Sequence, residues 1–161
     1  MDTKKVLILD RDKAVADIVC NTLKKEGFDV KTNWQRGSKL TNVNSHTIPS
    51  ISSYFGLKWQ QDNLKLADYS AETILENEPD IILLDTTLVS YDDGFDLCKR
   101  IREISNVPII MFSGKDSEEA IILALELGAD DYITQPFSLK ELVARVNSLI
   151  RRAGMPGYYP D

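Results

Sequence analysis

Along this chain, short unbroken apolar runs alternate with stretches whose apolar positions recur every three to four residues. The runs are Val6–Leu9, Ile81–Leu84 and Ile109–Phe112. They lack the in–out alternation of a sheet with one wet face, and so match strands covered on both sides by helices. Phe28–Val30 and Tyr132–Thr134 are weaker runs of the same kind. Between them, Val15, Ile18, Val19, Thr22 and Leu23 mark a helix face that Gly27 closes. Phe95, Cys98 and Ile101 mark a second helix, and Leu139, Leu142, Val143, Val146 and Ile150 mark the last. Asp116 with Glu119, and Ser138 with Glu141, have capping-box spacing at the starts of the final two helices. A strand–helix unit repeated five times predicts an α/β fold, a doubly wound parallel sheet.

One segment breaks the rhythm. Residues 34–67 are rich in Ser, Thr, Asn and Gln, and carry +3 while the remainder of the chain carries −9. Trp34, Trp59 and the single histidine, His46, fall inside it. Phe55, Leu57 and Trp59 alternate with Gly56 and Lys58, which predicts one short half-buried strand. A structureless loop of that length is unusual within a compact domain. The segment therefore reads as an insertion between the second strand and second helix, lying on the carboxyl edge of the sheet with its aromatics partly buried. After Arg152, "AGMPGYYPD" (153–161) reads as a linker or tail, leaving 1–152 as the domain.

Composition narrows the classes. With 161 residues, 43% hydrophobic and 27% charged, the chain fits one soluble globular domain. A net charge of −6 disfavours direct nucleic-acid binding, so DNA would be reached only through a domain absent from this chain. Cys20 and Cys98 sit in apolar helical patterns, as buried free thiols of a cytoplasmic protein do. "MDTKK" leads into only four apolar residues, too few for a signal peptide or a membrane span. No Ser/His/Asp set, Gly-rich phosphate loop or zinc spacing is present, so the chain is not read as an enzyme.

In an open parallel sheet, binding residues gather where the strands end at their carboxyl side. Those ends carry Asp10-Arg11-Asp12, Asp85, Ser113-Gly114-Lys115 and Gln135-Pro136. Together with "KKVLILDRD", "PDIILLD", "PIIMFSGKD" and "LGADDYITQPFSLKELVARVNSLIRR", they make the chain resemble the receiver domain of bacterial response regulators. The likeness covers residues 4–33 and about 68–152 and is greatest to receivers that precede a winged-helix DNA-binding domain. It implies a flavodoxin-like (βα)5 fold with strand order 2-1-3-4-5. It also implies that Asp85 is the phosphoacceptor position, fed by a histidine kinase, and that Asp10 and Asp12 belong to an acidic pocket that holds Mg²⁺ in the family. Ser113 and Tyr132 match the switch residues.

Two positions depart from that pattern. Arg11 stands where the second acid, a direct metal ligand, is expected, and Gln135 stands where a lysine pairs with the phosphoryl oxygens. The loop after Asp85 is also one residue longer than usual, with Val89 in place of a proline. Phosphoryl transfer at a carboxylate needs cations to draw in a dianionic donor. Arginine repels the metal and takes its place, while its fork can reach Asp10 or Asp85. The leading expectation is therefore a phosphorylation-independent regulatory and dimerisation module, without a cofactor and with Arg11 as the cation of the pocket. One alternative is a phospho-accepting receiver that uses Mg²⁺ at Asp10 and Asp85. A weaker one is a ligand sensor built on the insertion. The resemblance further implies a homodimer through the fourth helix, fifth strand and fifth helix, where Asp130, Asp131, Glu141, Arg145 and Arg152 keep charged positions. Ile121 replaces a basic residue there, and with Ile122 makes the contact more apolar.

Overall fold

The computed structural model describes residues 2–33, 70–88, 93–114 and 116–156. Within them, five strands and five helices alternate: β1 (Lys5–Leu9), α1 (Lys13–Lys25), β2 (Asp29–Thr32), α2 (Ala71–Leu75), β3 (Ile81–Asp85), α3 (Asp93–Ile104), β4 (Ile109–Ser113), α4 (Glu118–Glu126), β5 (Asp131–Thr134) and α5 (Leu139–Ala153). The strands form one parallel sheet in the order β2-β1-β3-β4-β5, the order that the resemblance to receivers implies.

The continuous apolar runs are explained by two separate cores. On one face, Leu7, Leu9, Ile82, Leu84, Ile109 and Met111 pack with residues of α2, α3 and α4. On the other, Val6, Ile8, Ile81, Leu83, Ile110 and Phe112 pack with α1 and α5. Successive strand residues point to opposite faces, so a strand buried on both must be apolar at every position. Cys20 and Cys98 are buried free thiols on α1 and α3.

The local signals are largely obeyed. Gly27, at φ +95°, ends α1 with its N–H on Lys24 O at 3.0 Å, the left-handed stop that glycine allows. Ser138 caps α5 through Glu141 N. Three expectations need correction. Ile18 is 54% exposed, because the inner face of α1 centres on Ala16, Val19, Cys20 and Leu23. The cap of α4 is Ser117, whose hydroxyl takes Ala120 N at 3.2 Å, not Asp116. The second strand spans Asp29–Thr32 instead of Phe28–Val30, since pairing with β1 carries it past the apolar residues. The strand foreseen around residues 55–59, the aromatics of the 34–67 segment, His46, Val89 and Lys115 lie outside the described residues, as does the end of the expected tail. Among the described residues, no helix is long and apolar enough to cross a membrane.

Candidate functional site

Register brings the chemistry to one edge. Leu9 pairs with Leu84 and Asp85 with Phe112, so Asp10, Asp85 and Ser113 leave adjacent strands at nearly the same height. Asp10 is fully buried and Asp85 is half-buried. The two carboxyls are close enough to perturb each other directly. Burial, and after it the neighbouring Asp85, pushes the Asp10 carboxyl up to about 8. Burial also raises Asp85, against the pull of its hydrogen bonds.

Main-chain groups supply the rest of the stabilisation. Thr87 N donates to Asp85 Oδ1 at 3.1 Å, and the N–H of Arg11 also donates to the Asp85 carboxylate. Asp12 N donates to Asp10 Oδ1 at 2.8 Å. A carboxylate that accepts backbone N–H groups is favoured in its ionised form, so these bonds oppose the rise that burial imposes on both acids. Arg11 thus reaches Asp85 through its backbone N–H. Amide dipoles from Arg11 and Thr87 offset part of the negative charge on Asp85.

Asp12 stands between this pair and α1. Its exposed carboxylate caps α1, taking Ala14 N at 2.9 Å and Val15 N at 3.3 Å, and acts on Asp10 only as a nearby negative charge. Gln135 follows β5, joins Pro136 through a cis bond, and donates its N–H to Ser113 O at 2.7 Å. Tyr132 is half-buried against the core beneath α3 and α4.

Several site neighbours were not singled out from sequence. Asp93, buried at the start of α3, takes Leu88 N at 2.7 Å and adds negative charge near Asp85. Thr86 is buried and bonds Ser113. Asn33 brackets the Asp10 backbone from β2, its Oδ1 taking Asp10 N at 3.2 Å and its Nδ2 donating to Asp10 O at 3.0 Å. Short polar residues at strand ends carry no periodic signal, so only the fold assigns them partners.

A family model for the response regulator receiver domain matches residues 62–147, more than half of the chain. This chain belongs to that family. The fold is shared with solved receivers. The Francisella response regulator 1452 receiver domain is 28% identical with a TM-score of 0.65, over 94% of this chain and 99% of that one. The BeF3-activated N-terminal receiver domain of RstA from Klebsiella pneumoniae is 25% identical at a TM-score of 0.64, over 92% and 99%. A two-component response regulator from Clostridium difficile superposes at a TM-score of 0.66 with 24% identity, over 95% and 100%. The protein is therefore a response regulator receiver domain of two-component signalling, a regulatory module.

Receivers in general bind Mg²⁺ beside the phosphorylated aspartate. Asp10 and Asp85 offer hard oxygen donors of the right kind. The third donor is missing, since its position carries Arg11. Among the described residues, no three His, Cys, Asp or Glu side chains form a metal-holding group. The donor set does not match the family's metal site.

Of the residues expected at a dimer contact, Asp130, Asp131, Glu141 and Arg145 pair within the chain. Arg145 Nη1 lies 2.8 Å from Asp131 Oδ2, and its Nη2 lies 2.8 Å from Glu141 Oε1. Asp130 pairs with Arg102 at 3.0 Å. Ile121 is half-buried, Ile122 is exposed and Arg152 is exposed.

Proposed function

We propose that this receiver acts without phosphorylation, as a regulatory and dimerisation module attached to a DNA-binding domain outside this chain. The observation that carries the reading is the pocket's cation count: Arg11 and Gln135 replace a metal ligand and a lysine. Two facts support it. Burial, and after it the neighbouring Asp85, raises the Asp10 carboxyl, so the pocket already resists further negative charge. Asp85 has its ionised form satisfied by the amides of Arg11 and Thr87. In this reading Arg11 supplies the fixed positive charge at the rim, and the state of the domain is set by abundance or by a partner protein.

Phosphoryl transfer depends on positioning and on cations that neutralise the developing charge. The test is incubation with acetyl phosphate and Mg²⁺, followed by intact mass measurement. No adduct is expected. A stoichiometric phosphate, lost in Asp85→Ala, would overturn the reading and establish the phospho-accepting alternative. Arg11→Asp combined with Gln135→Lys is expected to restore Mg²⁺ binding and labelling of Asp85.

A further inference from the structure

Thr86 follows Asp85 directly and is almost completely buried at 1% exposure. Its Oγ1 donates to Ser113 Oγ at 2.8 Å, a buried bond between the ends of β3 and β4. Nothing in the receiver motifs requires a hydroxyl at this position, and the proposed account of the pocket does not use it.

Strand alternation fixes where that bond lies. Asp85 is the register partner of Phe112, whose ring belongs to the core beneath α1 and α5. One residue further along each strand, Thr86 and Ser113 turn to the other face, toward α3 and α4. The ladder continues through this step, with Thr86 N on Phe112 O at 3.3 Å. The Ser113 hydroxyl is thus engaged on the opposite side of the sheet from the face that Asp85 serves.

We infer that Thr86 is a positioning residue for Ser113, holding its hydroxyl toward the α3 and α4 side, and that any movement of Ser113 to Asp85 must first break this bond. The inference rests on reading Ser113 as the switch hydroxyl. Threonine suits the task because its branched Cβ restricts χ1 and so presents the hydroxyl from a fixed place. Burial raises the cost of release, since a hydroxyl that loses its partner away from water keeps the desolvation penalty. The switch therefore answers to its neighbour on β3 as well as to whatever occupies the Asp85 edge.

The deciding experiment measures Ser113 Hα–Hβ couplings by NMR in the full chain. Wild type and Thr86→Ser are expected to hold one Ser113 rotamer, and Thr86→Val, which keeps the shape without the donor, to show rotamer averaging. Thr86→Ala gives the same reading if the valine variant does not fold. Unchanged couplings on losing the hydroxyl would overturn the inference. A second arm places Thr86→Val in the Arg11→Asp, Gln135→Lys background and titrates beryllofluoride with Mg²⁺. Binding is expected to tighten about five-fold, the worth of one competing hydrogen bond, while Thr86→Ser leaves it unchanged. Equal affinity with and without the Thr86 hydroxyl counts against the inference. A background that binds no beryllofluoride at all refutes the account of Arg11 and Gln135 instead, and the couplings still decide the role of Thr86.

Discussion

Arg102 grips Asp130 across the amino-terminal edge of the sheet, 3.0 Å apart, with side chains only 16% and 8% exposed. The same guanidinium donates to the carbonyls of Gly128, Ser105 and Val107. Asp130 Oδ2 also takes Ile109 N at 2.8 Å, and burial still raises the Asp130 carboxyl. Removing one side of such a pair strands the other charge. Arg102→Met is therefore expected to cost about 3–5 kcal/mol in urea unfolding. A loss below about 1 kcal/mol would show that water replaces the clasp freely.

That clasp reshapes the proposed dimer. An Asp130 committed to its own chain has little left to offer Arg152 of a second copy. Self-association is expected to survive Arg152→Ala and to weaken at least about ten-fold in Ile122→Glu, because Ile122 and Leu125 are 46% and 49% exposed on α4. Sedimentation equilibrium measures both. The opposite ranking would return the contact to charge pairing.

The Asp10 carboxyl gives a signed pH dependence. Its pKa rises from 3.8 unfolded to about 8 folded, so between those values the native state holds a proton that the unfolded chain releases. Stability from this group is full below about pH 4 and is lost as pH rises through about 8. In EDTA, Asp10→Asn should match wild type near pH 4 and gain on it steadily toward pH 8.5. Thermal melts across that range check the slope. A variant less stable than wild type at pH 8.5 contradicts it.

Gly94 lets α3 begin against the end of β3. A Cβ built there would meet the carbonyl oxygen of Asp85 and, at 2.8 Å, two backbone atoms of Thr86, while its N–H donates to Thr86 O at 2.9 Å. Backbone cannot swing aside as a side chain can. Gly94→Ala is expected to cost about 1–3 kcal/mol and to move the Asp85 amide resonance. Wild-type stability in this variant would mean the helix start shifts at no cost.

Much of this architecture is legible in the residues, and the failures have physical causes. Unbroken runs such as Ile81–Leu84 announce strands covered on both faces, and their ends pick out Asp10, Asp85 and Ser113. Asp29–Thr32 has one apolar residue, Val30, because β2 is an edge strand with alternate positions exposed, which weakens its signal. Ile18 fits a helical period with Val15 and Val19, yet α1 packs Ala16, Val19, Cys20 and Leu23 against β1 and β2 and leaves it outside. Arg102 reads as an ordinary charge at a helix end, and only the fold brings three carbonyls and Asp130 around it. The sequence shows a positive residue among acids, but not that backbone amides of Arg11 and Thr87 close on Asp85.

Asn33, whose amide brackets the Asp10 backbone, has a consequence for how this domain can grow. Its side chain imitates one further step of β-pairing, and its own N–H reaches Ile8 O at 3.2 Å. The sheet is thereby hemmed at this corner before the chain moves on. Sequence added after residue 33 need not unpick a ladder, and lengthening a connection costs free energy only slowly.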